Sequence, residues 1–434
     1  MNKFMIVPLN VGHGESILVY IHHNNKEFKL LIDGGSYRNS KNSYNEPVFN
    51  VEKIKKISIN NVLHGIVVSH VDDDHIGGIL HIIREWKKLD EKKAFFLIFN
   101  DYIDHNISFS QGETLINEIK QLQKNEKINV NLLNSYSNRY ISANEWIKNN
   151  LCTLPVRIMS ISQRKLLPAK KSDWIYITLL TPGIKEIKDV MEEWKKDKQR
   201  RQDGKKGSAN GKIINDSSIS FLLEYDNYTI LFTGDSSIKL IKNKLNELHE
   251  VIERIDYINL CHHGAAENNK GILELIENYD CCSVFASTNS INYPKHPCLF
   301  MLYKLIKKYP DIKIYLTNDI LKLNDLSEWD LSQIKEFDFI DNADGNVKTI
   351  IQNLKEMEFP LDQKTLEKFV KEIKDKLDKS HDDKIKINEK QLITEVCSEI
   401  NKELSQAQSN GRIICITDKI PYITIFNRED KNEK

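Results

Sequence analysis

Cysteine is scarce in this 434-residue chain: there are seven, and no two form a CxxC pair. A sparse, odd set offers neither a disulfide framework nor a zinc knuckle, and the thiols read as reduced core side chains. Net charge is lacking too. Sixty-two basic side chains balance 62 acidic ones, so no global attraction draws the chain to nucleic acid or an anionic membrane, and such a partner must be met by a local patch. No run approaches the roughly 18 apolar residues that span a bilayer, and the opening MNKFMIVPLNVGHGES lacks a signal peptide's apolar stretch. The expectation is a soluble, cytoplasmic protein with no membrane partner. Neither a G-x-x-x-x-G-K-[ST] phosphate cradle nor a GxSxG elbow is present, which removes support for a nucleotide-driven motor or a serine hydrolase.

What is present is a succession of short apolar runs ended by turn residues. FMIVPLNV, SILVYI and FKLLIDGG read as consecutive strands, LHGIVVSH as a buried strand, and IGGILHIIREWKKL as a helix with Ile79, Ile82, Ile83 and Trp86 on one face. SISFLLEY and YTILFTGD read as a hairpin turning at Asp226-Asn227. DYINLCHHG, CCSVFAST and KIYLTN follow as strands separated by helices. Mixed strands followed by alternating strands and helices predict an α/β sandwich with helices outside, over residues 1–350. Residues 351–434 read as a mostly helical extension. Leu366, Phe369, Val370, Ile373 and Leu377 form one stripe, Leu392, Val396, Ile400 and Leu404 a second, and GRIICITD with PYITIF a closing hairpin. Residues 192–212 carry eight basic and four acidic side chains with three glycines, which predicts a basic flexible insertion.

The stretch VVSHVDDDHIGG, residues 67–78, sets Asp72, Asp73 and Asp74 side by side between His70 and His75. Adjacent carboxylates repel, and a loop between a strand and a helix can aim its side chains at one point, so His70, Asp72, Asp74 and His75 are candidate ligands of a shared cation. Mixed imidazole and carboxylate suits zinc, manganese or iron better than calcium. Other strand ends repeat the design. LLIDGGS ends at Asp33, ILFTGDSS at Asp235 and INLCHHGAA at His262 and His263, while NYPKHP adds His296. His13 and Glu15, after the first strand, are candidates for the same cavity.

Taken in order, HVDDDH, TGD and HHG resemble the signature of the metallo-β-lactamase-fold hydrolases. The variant with Asp72 in place of a second histidine, together with NVGHGES and NYPKHP, is most similar to the hydrolase domain of the competence DNA-uptake channel proteins, here in free-standing form. The resemblance covers about residues 4–320. It implies an αββα sandwich holding one or two divalent metal ions, Zn or Mn. His70 and Asp72 would bind the first, Asp74 and His75 the second, and Asp235 would bridge both. A histidine of HHG would complete the second set, with His262, the first residue after the strand, favoured over His263. Asp33 would orient the ligands. No histidine occurs between His105 and Asp235, where the family's third imidazole for the first metal should fall, so His105 or Asp101 would have to substitute.

Such a centre implies a metal-dependent hydrolase, foremost a phosphodiesterase or nuclease using a metal-activated water, with Asp74 and His296 as catalytic residues. His296 would protonate the leaving oxygen or bind phosphate. Lys198, Arg200, Arg201, Lys205 and Lys206 would track a nucleic-acid backbone. A small-molecule hydrolase acting on a cyclic nucleotide, lactone or thioester is the alternative, as is an effector subunit that docks a protein partner through 361–405.

Overall fold

A computed structural model describes residues 2–11, 14–36, 63–87, 93–100, 110–124, 128–133, 154–167, 170–205, 210–288, 296–318, 401–416 and 422–428. His13, Asp101, His105, Lys206 and both predicted C-terminal stripes except Leu404 lie outside these residues.

The strands are β1 (Asn2–Pro8), β2 (Ile17–His23), β3 (Lys26–Ile32), β4 (Gly65–Val67), β5 (Lys93–Ile98), β6 (Ile128–Leu133), β7 (Val156–Ser160), β8 (Ile175–Thr181), β9 (Ser220–Tyr225), β10 (Tyr228–Phe232), β11 (Tyr257–Asn259), β12 (Ser283–Ala286), β13 (Lys313–Leu316), β14 (Ile413–Cys415) and β15 (Ile423–Arg428). The helices are α1 (Asp73–Lys87), α2 (Ser110–Gln123), α3 (Ile161–Lys165), α4 (Ile184–Gln202), α5 (Gly211–Asp216), α6 (Ile238–Leu245), α7 (Ile272–Asn278), α8 (Leu299–Lys308) and α9 (401–409). The strands form two sheets, ordered β15-β1-β2-β3-β4-β5-β6 and β14-β13-β12-β11-β10-β9-β8-β7. The chain is thus a mixed α/β protein with two sheets and helices.

The alternation of buried side chains builds three apolar clusters among the described residues. Phe4, Ile6, Val19 and Phe28 of the first sheet meet Ile177, Phe221, Ile230 and Phe285 of the second. The other side of the first sheet, through Leu31, Ile66 and Phe95, packs on Ile76, Ile79 and Ile83 of α1 and Leu115 of α2. The second sheet packs its other side, through Leu222 and Val284, on α6, α7 and α8. Fully burying each such side chain is worth about 1.5–3 kcal/mol, so the strand pattern and the helical stripes specify their faces jointly.

Two expectations are corrected. Residues 192–202 are not a loop but the second half of α4, in which Ile187, Val190 and Trp194 are buried. Lysine and arginine obscure that apolar stripe, yet Arg200 pairs with buried Glu193 at 3.0 Å and Arg201 with buried Asp197 at 2.8 Å, which lets the basic helix pack. The last two strands also form no hairpin. β14 runs parallel to β13, whereas β15 runs antiparallel to β1, so each sheet takes one of them as an edge. Short apolar runs carry no information about which edge they pair with. Leu404 of α9 is fully buried in the same cluster as α8, and Arg412 donates to the carbonyls of Ile306 and Tyr309, each at 2.7 Å.

Parallel registers place the chemistry. Ile32 of β3 lies beside Val67 of β4, so Asp33 and the 68–75 loop leave the first sheet together. In the second sheet Leu231 lies beside Ile258, and Asn259 beside Phe285, so Asp235, the 261–263 segment and Ser287 also emerge together.

Candidate metal centre

Close backbone approach fixes the acidic loop. A Cβ on Gly14, at φ 124°, would stand 2.2 Å from the Asp74 carbonyl oxygen, and one on Gly34 would stand 2.5 Å from the Ile79 nitrogen. The glycines of NVGHGES and LLIDGGS let these turns press onto the start of α1. There Glu15 N–H donates to the Asp74 carbonyl (3.0 Å) and Gly34 N–H to that of His75 (2.7 Å).

Each of the three consecutive acids has a separate task. Asp72 is half-exposed, its carboxylate 3.7 Å from His70 Nε2. Asp73 turns away to accept from Ser36 Oγ and Gln111 Nε2. Asp74 faces His263, with Oδ2 3.3 Å from Nε2. Division among separate partners relieves the repulsion that the sequence implies.

Asp33 is fully buried and its carboxylate accepts three hydrogen bonds, from Ser69 N–H (2.7 Å), Ser69 Oγ (2.6 Å) and His75 Nδ1 (2.8 Å). Because the Ser69 hydroxyl donates to Asp33, its oxygen accepts from His70 Nδ1 at 3.0 Å. His263 Nδ1 donates to the Ser287 carbonyl at 3.0 Å. In all three rings Nδ1 donates to an oxygen and Nε2 faces the interior, the orientation in which metal-binding imidazoles are held.

The Nε2 atoms of His70, His75 and His262 converge on Asp235. Its Oδ1 lies 3.3 Å from His75 Nε2, and its Oδ2 lies 3.7 Å from His70 Nε2 and 3.5 Å from His262 Nε2. His70 Nε2, His75 Nε2 and Asp235 Oδ1 are buried with no hydrogen-bond partner. An unsatisfied buried polar atom costs about 1–3 kcal/mol, and cation binding would satisfy these three, so the donor set fits metal. Among the described residues, His70, His75 and Asp235 form one group able to share an ion; Asp74, His75 and His263 form a second, and Glu15, Asp33 and His75 a third. In the third, the three donors already seated on Asp33 describe a support for His75.

Charge follows the same pattern. Burial opposes ionisation of Asp235, yet the rings of His75, His262 and His70 hold its carboxyl well below the usual range. Burial likewise disfavours a cationic His75, but the carboxylates of Asp235, Asp33 and Asp74 lift its pKa well above the ordinary value. Glu15 differs: burial pushes its carboxyl up to about 7. Its Oε2 accepts from Asn259 Nδ2 at 2.8 Å, which ties the loop after β1 to the end of β11.

The structure brings His70, His75 and Asp235 into one group and Asp74 with His75 into another, with Asp72 beside His70 alone and Asp33 and Glu15 against His75. The preference for His262 in the second set is reversed. His263 groups with Asp74 and His75, because left-handed backbone at both residues, φ 48° and 55°, turns the second ring inward. The ring of His296 lies 5.1 Å from that of His262. Lys198, Arg200, Arg201 and Lys205 lie on or just after α4, away from these ligands in sequence, with both arginines engaged by acids. Ser69, Asn215, Asn259, Asn268 and Ser287 were not anticipated. A buried asparagine inside the apolar run YINLC is a signal that could have found Asn259; Asn215 offers none.

No protein-family model matches the chain, and no curated protein matches it. Among solved structures it is similar to the metallo-beta-lactamase fold protein YhfI from Bacillus subtilis, with 11% sequence identity and a TM-score of 0.32 over 72% of this chain and 85% of that one. At that identity and score the likeness carries no weight, and the chemistry rests on the residues.

Proposed function

We propose that the chain is a metal-dependent hydrolase of the metallo-β-lactamase fold, with an αββα arrangement, acting as a phosphodiesterase on nucleic acid. The observation that carries this reading is Asp235, whose two carboxylate oxygens face different imidazoles that have no other partner for Nε2. His70, Asp72 and Asp235 would hold one divalent ion; Asp74, His75, His263 and Asp235 would hold the other. A pair of such ions, Zn or Mn, supplies Lewis acidity toward a phosphoryl oxygen and makes a water acidic enough to attack near neutral pH.

The chain's own residues do the rest. Asp33 and Ser69 hold His75 and His70 in the ligand tautomer, and Asp74, partly exposed at the same point, presents an anionic oxygen beside the attacked group. His296, whose ring lies 5.1 Å from that of His262, would donate a proton to the leaving oxygen or bind phosphate. Carboxylates at three ligand positions favour manganese over zinc. Lys195, Lys198 and Lys205 have no acidic partner among the described residues, which supports contact with a polyanion.

A small-molecule hydrolase is the second reading. Pairing of Arg200 and Arg201 with Glu193 and Asp197 favours it, since these cations are not offered to phosphates. Docking of a partner through 361–405 loses part of its basis where Leu404 packs into the chain's own core. The deciding experiment offers labelled single- and double-stranded DNA, RNA and cyclic dinucleotides with Mn²⁺, Zn²⁺ or Mg²⁺. Metal-dependent cleavage of a polymer is expected. Turnover of cyclic dinucleotides alone, or of none of these by metal-loaded protein, sinks the nuclease reading.

A further inference from the structure

The metal centre hangs half from one sheet and half from the other. His70, Asp74 and His75 follow β4 of the first sheet, whereas Asp235 and His263 follow β10 and β11 of the second. Across the seam, Asp235 Oδ1 stands 3.3 Å from His75 Nε2, and Asp74 Oδ2 stands 3.3 Å from His263 Nε2. A binding constellation works only while its members keep their places to within about 0.5 Å. The apolar layer between the sheets is non-directional, so burial alone does not stop one sheet from sliding over the other. Directional bonds to both sheets do.

We propose that residues 413–425 are a clasp, bonded to one edge of each sheet, that holds the two halves of the site in register and so sets their affinity for metal. This rests on the metal-centre reading above and adds a control on that same site.

β14 joins β13 in parallel, with Cys415 opposite Leu316, and Ile416 N–H donates to the Leu316 carbonyl at 2.7 Å. β15 joins β1 antiparallel, with Ile423 opposite Ile6. Between Ile416 and Ile423 the chain therefore passes from the second sheet to the first. It does so at the ligand end. β1 runs in the same direction as β3, which ends at Asp33, and β13 in the same direction as β10, which leads to Asp235. Ile416, Ile423 and Ile425 are buried in the layer between the sheets, and Leu404, Ala407 and Ile413 in the cluster beneath α6, α7 and α8.

The strands so gripped lead to the site. The segments leaving β1 and β13 meet, with Asn10 Nδ2 donating to Asn318 Oδ1 at 2.9 Å. From β1 the chain continues to Glu15, which accepts from Asn259 of the second sheet at 2.8 Å. After β13, Thr317 Oγ1 donates to the Thr288 carbonyl at 2.9 Å and accepts from the Thr288 N–H at 2.8 Å. Thr288 follows Ser287, whose carbonyl seats the His263 ring. No described residue of 413–425 belongs to a ligand group, so the clasp acts by positioning. Its effect can be read at one atom pair: Ile219 N–H, just before β9, donates to the Ser69 carbonyl at 2.9 Å, a backbone bond that joins the sheets beside the centre.

Full-length Ile425→Asp tests the clasp, because a carboxylate resists burial between the sheets. Thr424→Pro, at an exposed side chain of β15, disrupts the ladder to β1 and replaces it if the first variant does not fold or keeps the segment docked. Hydrogen exchange in β14 and β15 verifies release. Ile119→Ala, a cavity under α2 on the other side of the first sheet, controls for general destabilisation. In metal-free protein the clasp variant should exchange the Ile219 amide at least tenfold faster than wild type. Its Mn²⁺ affinity, read by competition against a chromophoric chelator, should be at least tenfold weaker. The control should stay within threefold of wild type on both. Coupling is reciprocal, so saturating Mn²⁺ should slow exchange in β15 of wild type. A released segment that leaves either Ile219 exchange or Mn²⁺ affinity within threefold of wild type overturns the proposal, and so do equal losses in Ile119→Ala. Wild-type protein that takes up no Mn²⁺ overturns the metal-centre reading instead, and the Ile219 amide then still decides whether the segment holds the sheets in register.

Discussion

Replacing Asp33 by asparagine removes a charge while changing almost nothing else. The residue is fully buried at φ 54°, a conformation that Asn adopts as readily as Asp, so the backbone adds no cost. The carboxylate accepts from Ser69 N–H, Ser69 Oγ and His75 Nδ1, but an amide can present its oxygen to one side only. With the oxygen kept on the Ser69 N–H, the NH₂ group meets the Ser69 hydroxyl and His75 Nδ1. The hydroxyl can rotate. The ring must give up its Nδ1 hydrogen, and the other tautomer turns an N–H toward Asp235 where a lone pair is needed. A charge-assisted hydrogen bond is worth about 1.5–3 kcal/mol, which corresponds to metal affinity weaker by about 10–100-fold. Competition against a chromophoric chelator at fixed pH reads the loss directly, and urea unfolding of the metal-free protein separates it from general destabilisation. An affinity within threefold of wild type would refute the claim that Asp33 sets the tautomers.

Glu15→Gln should change how metal-free stability depends on pH. Burial raises this carboxyl from 4.5 to about 7, so the stability of the protonated group is fully present below 4.5 and is lost as pH rises through 7. The glutamine variant should therefore gain on wild type between pH 5 and pH 8, by up to about 3 kcal/mol, and parallel urea midpoints across that range would contradict the assignment. Glu224 accepts from buried Arg164 at 2.8 and 3.0 Å and from Lys170 at 2.9 Å; Glu224→Gln strands the guanidinium and should cost about 3–5 kcal/mol in urea unfolding. Lys195, Lys198 and Lys205 changed together to Ser should raise KM for a polymer and flatten its salt dependence while leaving bis-p-nitrophenyl phosphate turnover unchanged. Equal losses on both substrates would show that α4 supports the centre itself.

The candidate ligand loop stood out because its chemistry is written contiguously: His70, Asp72, Asp74 and His75 lie within six residues, between a strand and a helix that their apolar spacing reveals. Asp235 and the HHG doublet were legible as punctuated strand ends. The choice between the two histidines was not, since it depends on the handedness of the backbone at residues 262 and 263, which no side-chain pattern encodes. Helix α4 was misread because its apolar stripe is narrow and its lysines and arginines suggested solvent, whereas buried Glu193 and Asp197 neutralise Arg200 and Arg201 from within. The final strands were recognised as strands but misassigned as a pair, because pairing is decided by the register of distant edges: β14 found β13 and β15 found β1.

The central claim is that side chains from both sheets hold divalent metal around Asp235. Elemental analysis of the chain, stripped with chelator and then saturated, tests it most directly when wild type is set beside Asp235→Ala. The account predicts close to two equivalents of Mn or Zn in wild type, with most of the metal lost and hydrolysis abolished in a variant that remains folded. A wild type that takes up no metal, or an Asp235→Ala protein that binds and turns over as wild type does, would contradict it.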